Sequence, residues 1–572
     1  MRWKKWSNLI DIKESTLDFE FKLGEEGNTA EGGNQPKGGK RVRLSRSLTP
    51  TPGYTHHTHQ VQRKFTMPKF ISVDMRSNRY TLEQLFYLPE NADIVLREFR
   101  LGGPHVVTFL AVFVDGLVDK AIINNNLLEP LMILTNLDAD QPDMKLVDWV
   151  KEALLPGNQI MELDTWDGVM QNVLAGSTVV LIEGVDKAIS VETKGWEHRQ
   201  VSVSQTEAVV RGPHDAFTEN FRSNTGLIRA RLRSPKLITK IVQVGKLART
   251  DVAVMYLKDI ANPKLVNEVL KRIGNLDVDY LPDSGMLEQL IEDPPLGVIP
   301  RFLATERPDR VTYGLTEGQV AILVGHSPYV LLAPIFLWSL MQAPEDAYLR
   351  WPFGAFIRTI RYLAMGIGLL LPAFYIAVTN FHPEMLPTEL MLAIAASRER
   401  VPFPVVFEVL VMEFSLELIR EAGIRIPSII GPTIGIVGAL ILGQAAVAAG
   451  IISPLLIIVV SVTALGSFTI PDYNLGFSVR VLRFWYIIAA SLFGFYGICL
   501  GLMVLLTHIV SLNSLGVPML APLSPKGRSS SDIIWRHPAF ELVRRPEAYG
   551  SKNVIRLGSP RKLGLRNPKG KS

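Results

Sequence analysis

The sequence predicts a membrane protein with a soluble head of α+β or α/β class, built of two related subdomains, and an α-helical polytopic membrane domain of about four spans with one amphipathic interfacial helix. Three long apolar runs in the last third of the chain predict the membrane domain: Tyr362–Phe381, Ser428–Ile470 and Phe484–Val510. About 20 apolar helical residues span a bilayer core, so the middle run is long enough for two crossings. Lipid offers no hydrogen-bond partners to the backbone, so a segment that crosses the bilayer forms a helix, in which the backbone groups bond to one another.

Composition divides the chain into a basic beginning, a folded middle and a basic end. The chain has 572 residues, which is too long for one domain, and its net charge is +5. Residues 1–77 are rich in Gly, Pro, Ser and Thr and predict a mostly disordered basic arm without a signal peptide. Residues 512–572 predict a basic cytoplasmic tail that contacts membrane lipids through anionic headgroups. We expect no nucleic-acid binding, because neither end interleaves aromatic and basic residues.

Motifs of catalysis and cofactor binding are missing from the sequence. Its single cysteine, Cys499, lies in an apolar run, which excludes a disulfide framework and a cysteine-based metal site. No P-loop, glycine-rich dinucleotide turn or zinc-binding helix motif occurs, and no nucleophile–base pair stands out. We therefore expect no catalytic, cofactor or metal site, and a protein that is not an enzyme.

The head shows a repeated pattern of strands and helices. Residues 78–205 predict a first α/β subdomain and residues 206–330 a second one. Each has a buried strand, a helix, a short second helix and another apolar strand. In the first half these are Val107–Val114, 119–133, Trp166–Leu174 and Ser177–Ile182; in the second they are Asp251–Leu257, Pro263–Ile273, Ser284–Ile291 and Gln319–Val324.

An arginine-rich segment lies between the two patterns, at residues 211–233. Its apolar residues fit one or two amphipathic helices. The polar face carries candidate contacts to an anion or to a neighbouring subunit: Arg222, Arg229 and Arg231. An ordinary solvated helix face is an equal alternative.

Residues 331–361 predict an interfacial linker with belt aromatics such as Trp338 and Trp351, and residues 362–511 predict the membrane domain. Within it, a helix near residues 404–422 places three glutamates four residues apart on one stripe. This helix either follows the interface or packs against other spans. Its carboxylates are candidates for the aqueous entrance of a cation path: Glu413, Glu417 and Glu421.

Charge counting predicts the topology. The segment 383–427 is net acidic, and if it lies outside, four crossings leave both basic ends inside, as the positive-inside rule prefers. This arrangement leaves Arg480 and Arg483 on the outside, which the rule disfavours.

The segment from residue 428 to residue 447 is rich in glycine and alanine. Small residues let helices approach closely or let one line a pore, and packing alone explains them equally well. Polar groups at this depth need a partner or water. The candidate pore-lining residues are Thr433, Gly435, Gly438, Leu442 and Gln444.

Several motifs in this region resemble the A subunit of GerA-type spore germinant receptors. The resemblance covers about residues 78–523. In the membrane part it rests on Val401–Pro404, Leu418–Pro427, Ile430–Gly438, Gly443–Val447, Ser467–Tyr473 and Gly516–Pro522. In the head it rests on Asp215–Asn220, Asn224–Arg229, Thr250–Val254 and Ala343–Asp346.

The resemblance implies a multi-pass protein of the spore inner membrane with head and tail on the core side. It implies a transporter-like B subunit that binds the germinant, a lipoprotein C subunit, and a homo-oligomeric ring whose central path releases monovalent cations at the start of germination. One departure is Ala448, where the family pattern suggests an acidic residue. A paralogous SpoVAF-like branch, acting as a channel downstream, shares most of these motifs.

Two further functions remain open from the sequence. A non-conducting scaffold or signalling subunit needs only dry packing of the small-residue helix. A secondary transporter needs an inverted repeat and a buried ion site, for which four spans are few.

Overall fold

The computed structural model describes residues 66–101, 107–133, 147, 150, 160–195, 204, 206–293, 297–425, 443–526 and 532–556. These residues form a mixed α/β head followed by a helical C-terminal region. This division of the chain is the one that the sequence predicts.

The first subdomain is a five-stranded antiparallel sheet with helices on both faces. Its strand order is β1-β2-β4-β5-β3, and the apolar strands β2 and β4 are neighbours in it. Helices α1 and α4 cover one face, and α2 and α3, joined by a π-helix at Asn124–Leu128, cover the other. The strands are β1 Ile94–Leu101, β2 Val107–Val114, β3 Ile160–Leu163, β4 Thr178–Ile182 and β5 Ala188–Val191. The helices are α1 Met75–Leu85, α2 Lys120–Ile123, α3 Glu129–Ile133 and α4 Trp166–Leu174.

The second subdomain repeats this topology. Its strand order is β6-β7-β9-β10-β8, which is the same order counted from the first strand of each sheet. Helices α6 and α7 cover one face, while α5 and α8 cover the other. The strands are β6 Leu237–Val244, β7 Thr250–Leu257, β8 Leu303–Thr305, β9 Val320–Val324 and β10 Val330–Ala333. The helices are α5 Phe221–Arg231, α6 Pro263–Gly274, α7 Ser284–Ile291 and α8 Pro308–Glu317.

The observed elements differ from the predicted ones in three places. The predicted helix 119–133 is interrupted by the π-helix. Helix α1 begins at Met75, so the boundary expected at residue 78 falls inside a helix. Strand β10 ends at Ala333, so the second sheet extends past the expected boundary at residue 330.

The segment between head and bundle is mostly helical. It contains a 3-10 helix at Leu337–Met341, α9 at Glu345–Tyr348 and the start of α10 at Trp351–Phe381. Helix α10 therefore begins 11 residues before the apolar run that predicted it. The last 11 residues of the expected interfacial linker, residues 351–361, are the first portion of this helix.

After α10, the described residues of the helical region contain further helices. They are a 3-10 helix Pro383–Met385, α11 Thr388–Arg398, α12 Val405–Arg425, α13 Pro454–Phe468, α14 Tyr473–Phe493 and α15 Phe495–Ser511. Residues 443–448 are also helical. Among the described residues, α10 and α14 are long and apolar enough to cross a membrane, whereas α13 and α15 are shorter apolar helices. The number of crossings stays a prediction.

The apolar run Phe484–Val510 does not form one straight helix, which corrects the prediction of a single crossing there. Gly494 adopts a positive φ of 56° and separates α14 from α15. The two helices fold back on each other, since a Cβ on Gly501 would lie 2.8 Å from the ring of Tyr486, fifteen residues earlier. Arg480 and Arg483, which the predicted topology leaves on the outside, lie within helix α14.

Head and tail lie at the same end of the bundle. Leu475 and Val479, near the start of α14, pack into a core cluster of the second subdomain. The hydroxyl of Ser478 donates a hydrogen bond to the carbonyl of Val298. At the other end, Gly494 contacts Phe381, the last residue of α10. Helices α10 and α14 therefore run away from the head, and α15 returns to it.

Part of the tail, for which the sequence predicts contacts with lipid headgroups, is packed against the protein itself. Residues 532–556 lie against the head and the start of α10. The ring of Tyr549 stacks on Phe336 with centroids 4.6 Å apart. The guanidinium of Arg545 donates a 2.6 Å hydrogen bond to the carbonyl of Thr316, and Arg545 is buried. This arginine is satisfied by protein and not by lipid headgroups.

Candidate functional site: charged side chains inside the helical bundle

Two ion pairs join α12 to α14 inside the bundle. The Glu413 carboxylate lies 2.5 Å from Nη1 of Arg483, and the Glu417 carboxylate lies 3.1 Å from Nη1 of Arg480. The glutamates are four residues apart and the arginines three, so each pair sits on one face of its helix. The matching spacing sets the alignment of α12 along α14.

Arg483 also contacts α10 and α13. Its Nε donates a 2.7 Å hydrogen bond to the carbonyl of Gly368 on α10, and its Nη2 donates to the hydroxyl of Ser467 on α13. The side chains of Arg483 and Glu413 are only 2% and 1% exposed. A buried charge is tolerated when it is paired and its donors are used. Arg483 is therefore the polar centre at which four helices meet.

Close backbone contact between α10 and α13 makes this meeting possible. A Cβ on Gly466 would lie 2.6 Å from the carbonyl oxygen of Ala364, closer than real side chains approach a backbone. A Cβ on Gly368 would also be tight, at 3.2 Å from the backbone nitrogen of Ser467. Small residues here bring the helices within reach of the Arg483 fork.

A second fully buried carboxylate lies near the end of the bundle away from the head. Glu408 on α12 accepts a 3.0 Å hydrogen bond from the backbone amide of Ser453, the N-cap of α13. Nε of Arg398 lies 3.5 Å from its other oxygen. An acidic group at a helix N-terminus is favoured by the helix dipole. Helix α12 is thus tied to its neighbours near both ends.

The three predicted entrance carboxylates do not share one water-facing stripe. Glu413 is buried, Glu417 is half-buried between Arg480 and Arg420, and Glu421 is exposed and pairs with Arg425 on the same helix. Helix α12 packs part of its apolar residues into the bundle core, which is the second of its two predicted placements, whereas Phe407, Phe414 and Leu418 are exposed. Glu421 is the one exposed member of the trio.

The candidate pore-lining residues lie mostly outside the described residues. Thr433, Gly435, Gly438 and Leu442 fall in the gap between residues 425 and 443. Gln444 is described, and its side chain is exposed on the bundle surface. Ala446, two residues on, packs against the bundle core. The short helix of residues 443–448 therefore has one packed side and one open side.

The arginines predicted to contact an anion or another subunit are used within the chain. Arg229 is buried, and its guanidinium makes two hydrogen bonds of 2.6 and 2.7 Å to Asp93 of the first subdomain. Its Nη2 also donates to Asn91 at 2.8 Å. This corrects the prediction for Arg229, because a side chain enclosed between the two subdomains is closed to outside ligands.

The neighbouring arginines make more exposed pairs. Nε of Arg222 lies 3.4 Å from Asp115 in the first subdomain, and Nη2 of Arg231 lies 2.5 Å from Asp215. Helix α5 therefore acts as the joint between the subdomains, with Arg229 as its buried centre.

The carboxyl group of Glu288, on α7, lies where the head contacts the bundle. Burial, together with the nearby charges of Glu292 and Asp472, raises the pKa of Glu288 on α7 to about 8. Asp472 is the N-cap of α14, so the group stands where the second subdomain meets that helix. Glu288 is therefore neutral at pH 7 in the folded protein.

The arginine partners of Glu413 and Glu417 were not predicted from the sequence. Arg480 and Arg483 were counted as outside charges, although both stand inside a stretch of apolar residues that continues to residue 493. Their three-residue spacing beside the four-residue spacing of the glutamates is a signal of helix pairing.

Comparison with known proteins shows the family to which this chain belongs. A family model described as Bacillus/Clostridium GerA spore germination protein matches residues 81–548. The chain belongs to the GerA family. The resemblance drawn from its motifs is thereby confirmed.

Several GerA relatives are similar over most of their length. Spore germination protein A1 of Bacillus subtilis (strain 168) is 44% identical over 478 residues, covering 82% of this chain and 95% of that protein. Spore germination protein KA of the same strain is 38% identical over 469 residues, covering 82% and 86%. An uncharacterized membrane protein of that strain, YfkQ, is 39% identical over 489 residues, covering 84% and 93%.

One solved structure is also similar to part of this GerA chain. It is the crystal structure of the N-terminal domain of the A subunit of the Bacillus megaterium spore germinant receptor GerK3. It is 28% identical, has a TM-score of 0.37, and covers 47% of this chain and 98% of that domain.

Proposed function

We propose that this chain is the membrane-embedded A subunit of a spore nutrient-germinant receptor. Its relatives are named as spore germination proteins, and α10 and α14 are suited to cross a membrane. The segment between α10 and α12, at the end away from the head, carries three glutamates and two arginines in residues 382–404. A net acidic outer segment supports a head and tail on the cytoplasmic, spore-core side of the inner membrane.

The partners in this proposal are a transporter-like B subunit that binds the germinant and a lipoprotein C subunit. Family membership supports this assembly, because the motifs of residues 78–523 are those of receptor A subunits. The chain then receives the binding signal from another subunit instead of binding the germinant in its bundle.

We propose further that several copies enclose a path through which monovalent cations leave the spore core. The observation that carries this proposal is the exposed side chain of Gln444, which directly follows the glycine-rich stretch of residues 428–443. A polar side chain at membrane depth requires a polar partner or water. A second copy or a hydrated conduit supplies either, and Thr433, Gly435 and Gly438 precede it in the same stretch of sequence.

The carboxylates of α12 take a different role in this proposal. Glu413 and Glu417 are neutralised by Arg483 and Arg480, so they do not attract cations to an entrance. They hold α12 in register beside α14. The path depends instead on the segment that ends in residues 443–448.

A non-conducting scaffold is the second candidate function. It is favoured by the same ion pairs, since a bundle whose buried charges are paired within one chain needs no water-filled seam. A scaffold leaves Gln444 at a dry contact with another subunit.

Reconstitution into potassium-loaded liposomes separates the two functions. The purified chain, alone and with its B partner, is assayed for potassium release after the nutrient is added, and native mass spectrometry gives the number of copies. The channel predicts potassium release together with more than one copy of the chain in the complex, because the proposed path lies between copies. Liposomes that stay tight with the complete receptor, or a single copy in the assembled complex, contradict the channel and favour the scaffold.

A further inference from the structure

The C-terminal segment of residues 532–556 connects the start of α10 with the second subdomain. It folds back on itself, because the backbone amide of Arg545 donates a 2.8 Å hydrogen bond to the carbonyl of Val554, and that of Arg556 donates one of the same length to Val543. We call this segment the strap. Because it is folded, it holds a defined separation between the elements to which its two ends are attached.

The first end of the strap is attached to α10. The hydroxyl of Tyr362 donates a 3.0 Å hydrogen bond to the carbonyl of Ile534, and the same ring meets Trp535 edge to face, with centroids 5.8 Å apart. Nη1 of Arg358 lies 3.3 Å from the Asp532 carboxylate. Both side chains of this ion pair are largely buried, so dissolved salt screens it little.

The other end of the strap is attached to α8. The last carbonyl groups of a helix have no partner within that helix. Here the guanidinium of Arg545 donates to the carbonyl of Thr316. The hydroxyl of Ser551 donates a 3.0 Å hydrogen bond to the carbonyl of Glu317, and Nη1 of Arg556 lies 2.8 Å from the carboxylate of the same glutamate. The strap therefore completes the C-terminus of α8.

Apolar contacts hold the strap between its two ends. Its residues Ile533 and Tyr549 form a buried cluster with Phe336, Val517 and Ala521. Phe336 precedes α10 in the chain, and the two others follow α15. Burial of apolar surface is the main favourable contribution to packing, so the strap is a part of the folded core.

The strap also balances the charge at the start of α10. Arg358 and Arg361 of this helix both face Asp346 of α9, at 3.4 and 2.7 Å. Asp346 is 1% exposed and carries a single negative charge for the two arginines. The second carboxylate is that of Asp532, which also pairs with Arg536 of the strap. A buried charge that loses its partner is strongly destabilising, so the start of α10 depends on Asp532.

We propose that the strap fastens the start of α10 to the second subdomain, so that a movement of this subdomain is carried into α10. From Tyr362 onward, α10 also packs against a core cluster of the second subdomain. The two ion pairs of Arg358 and the one of Arg361 lie before that point, in residues 351–361. Removing the charge of Asp532 therefore releases the first turns of α10, while α14 stays packed against the head. This coupling does not require that the bundle conduct ions.

Double electron–electron resonance on the full chain in lipid nanodiscs tests this coupling. Spin labels are attached at Leu247→Cys in the second subdomain and at Phe353→Cys near the start of α10, both exposed positions, in a Cys499→Ser background. We expect one narrow distance distribution for this chain and a broader one when Asp532→Asn is added. Hydrogen exchange of residues 351–361 becomes at least about tenfold faster in that variant, because Arg358 loses a counter-charge.

Glu541→Gln is the matched control, since it removes the same charge from a half-exposed carboxylate of the strap. It leaves both measurements unchanged. Tyr362→Phe removes only the hydrogen bond to Ile534 and broadens the distribution less than Asp532→Asn does, and size-exclusion chromatography verifies that the variants stay compact. The proposal is overturned if Asp532→Asn and Glu541→Gln give the same distance distribution, or if Tyr362→Phe is indistinguishable from the unsubstituted chain. It is equally overturned if a chain shortened to end at residue 526 keeps the narrow distribution.

Discussion

Replacing Arg229 by alanine is expected to loosen the joint between the two subdomains. Arg229 and Asp93 are 1% and 0% exposed, and the substitution leaves the Asp93 carboxylate buried with the Thr239 hydroxyl, 2.9 Å away, as its remaining side-chain donor. Breaking a buried ion pair from one side costs about 3–5 kcal/mol. At about 1.4 kcal/mol per factor of ten, local opening becomes roughly 10²- to 4 × 10³-fold more frequent.

Hydrogen–deuterium exchange mass spectrometry of the full chain in detergent measures this opening. We expect the accelerated peptides to be those of α5 and β6, which the Arg229 network joins. Arg231→Ala, two residues further on the same helix, is the control. Its pair with Asp215 is about a quarter exposed, and exposed pairs contribute about 0–1 kcal/mol.

A double variant sharpens the test. Arg229→Met combined with Asp93→Leu replaces both charges by apolar groups, and it is expected to recover much of the lost protection. Equal exchange in Arg229→Ala and Arg231→Ala would show that the buried pair does not hold the subdomains together. A double variant less protected than Arg229→Ala would show that packing and not charge is responsible.

Three further predictions concern the bundle and its contact with the head. Glu413→Gln leaves Arg483 without its counter-charge and lowers the stability of the bundle in detergent by about 3 kcal/mol, measured by thermal unfolding. Gly466→Val forces α10 and α13 apart and costs about 1–3 kcal/mol in the same measurement, with loss of compact protein in size-exclusion chromatography as the more severe result. Glu288 keeps a proton in the folded state up to about pH 8 that the unfolded chain releases near pH 4.5, so stability falls as pH rises through this window. Glu288→Gln therefore raises the melting temperature at pH 8.5 and changes it little at pH 4, whereas the exposed Asp277→Asn shows no such pH dependence.

The central strands of the head were predictable because they are almost entirely apolar. β2, β4, β7 and β9 are buried over most of their length, and buried strands read as continuous hydrophobic runs. β1 lies at the sheet edge and carries Arg97, Glu98 and Arg100 among its apolar residues, so it lacks the continuous apolar run that identified the central strands. The shared strand order of the two sheets also required pairings between distant segments, which a local pattern does not contain.

The bundle was less predictable than the head, for two physical reasons. Gly494 reverses the chain with a positive φ, yet in the sequence it is one glycine among many in an apolar run, with no proline beside it. Arg480 and Arg483 are accommodated inside the bundle because each lies beside a glutamate of α12. A hydropathy pattern contains no information about such pairing between distant residues. The glutamates were identified correctly as special, but their partners and their burial depend on the tertiary structure.

Chemical modification at Gln444 tests the proposed cation path most directly. The chain has one cysteine, so Gln444→Cys in a Cys499→Ser background carries a single thiol. Potassium conductance of the complete receptor in planar bilayers is recorded before and after a membrane-impermeant cationic methanethiosulfonate is added. We predict that the reagent reduces the conductance of this variant and leaves that of Val504→Cys, on the outer face of α15, unchanged. A receptor that conducts no potassium, or a Gln444→Cys conductance that the reagent does not alter, would contradict the account.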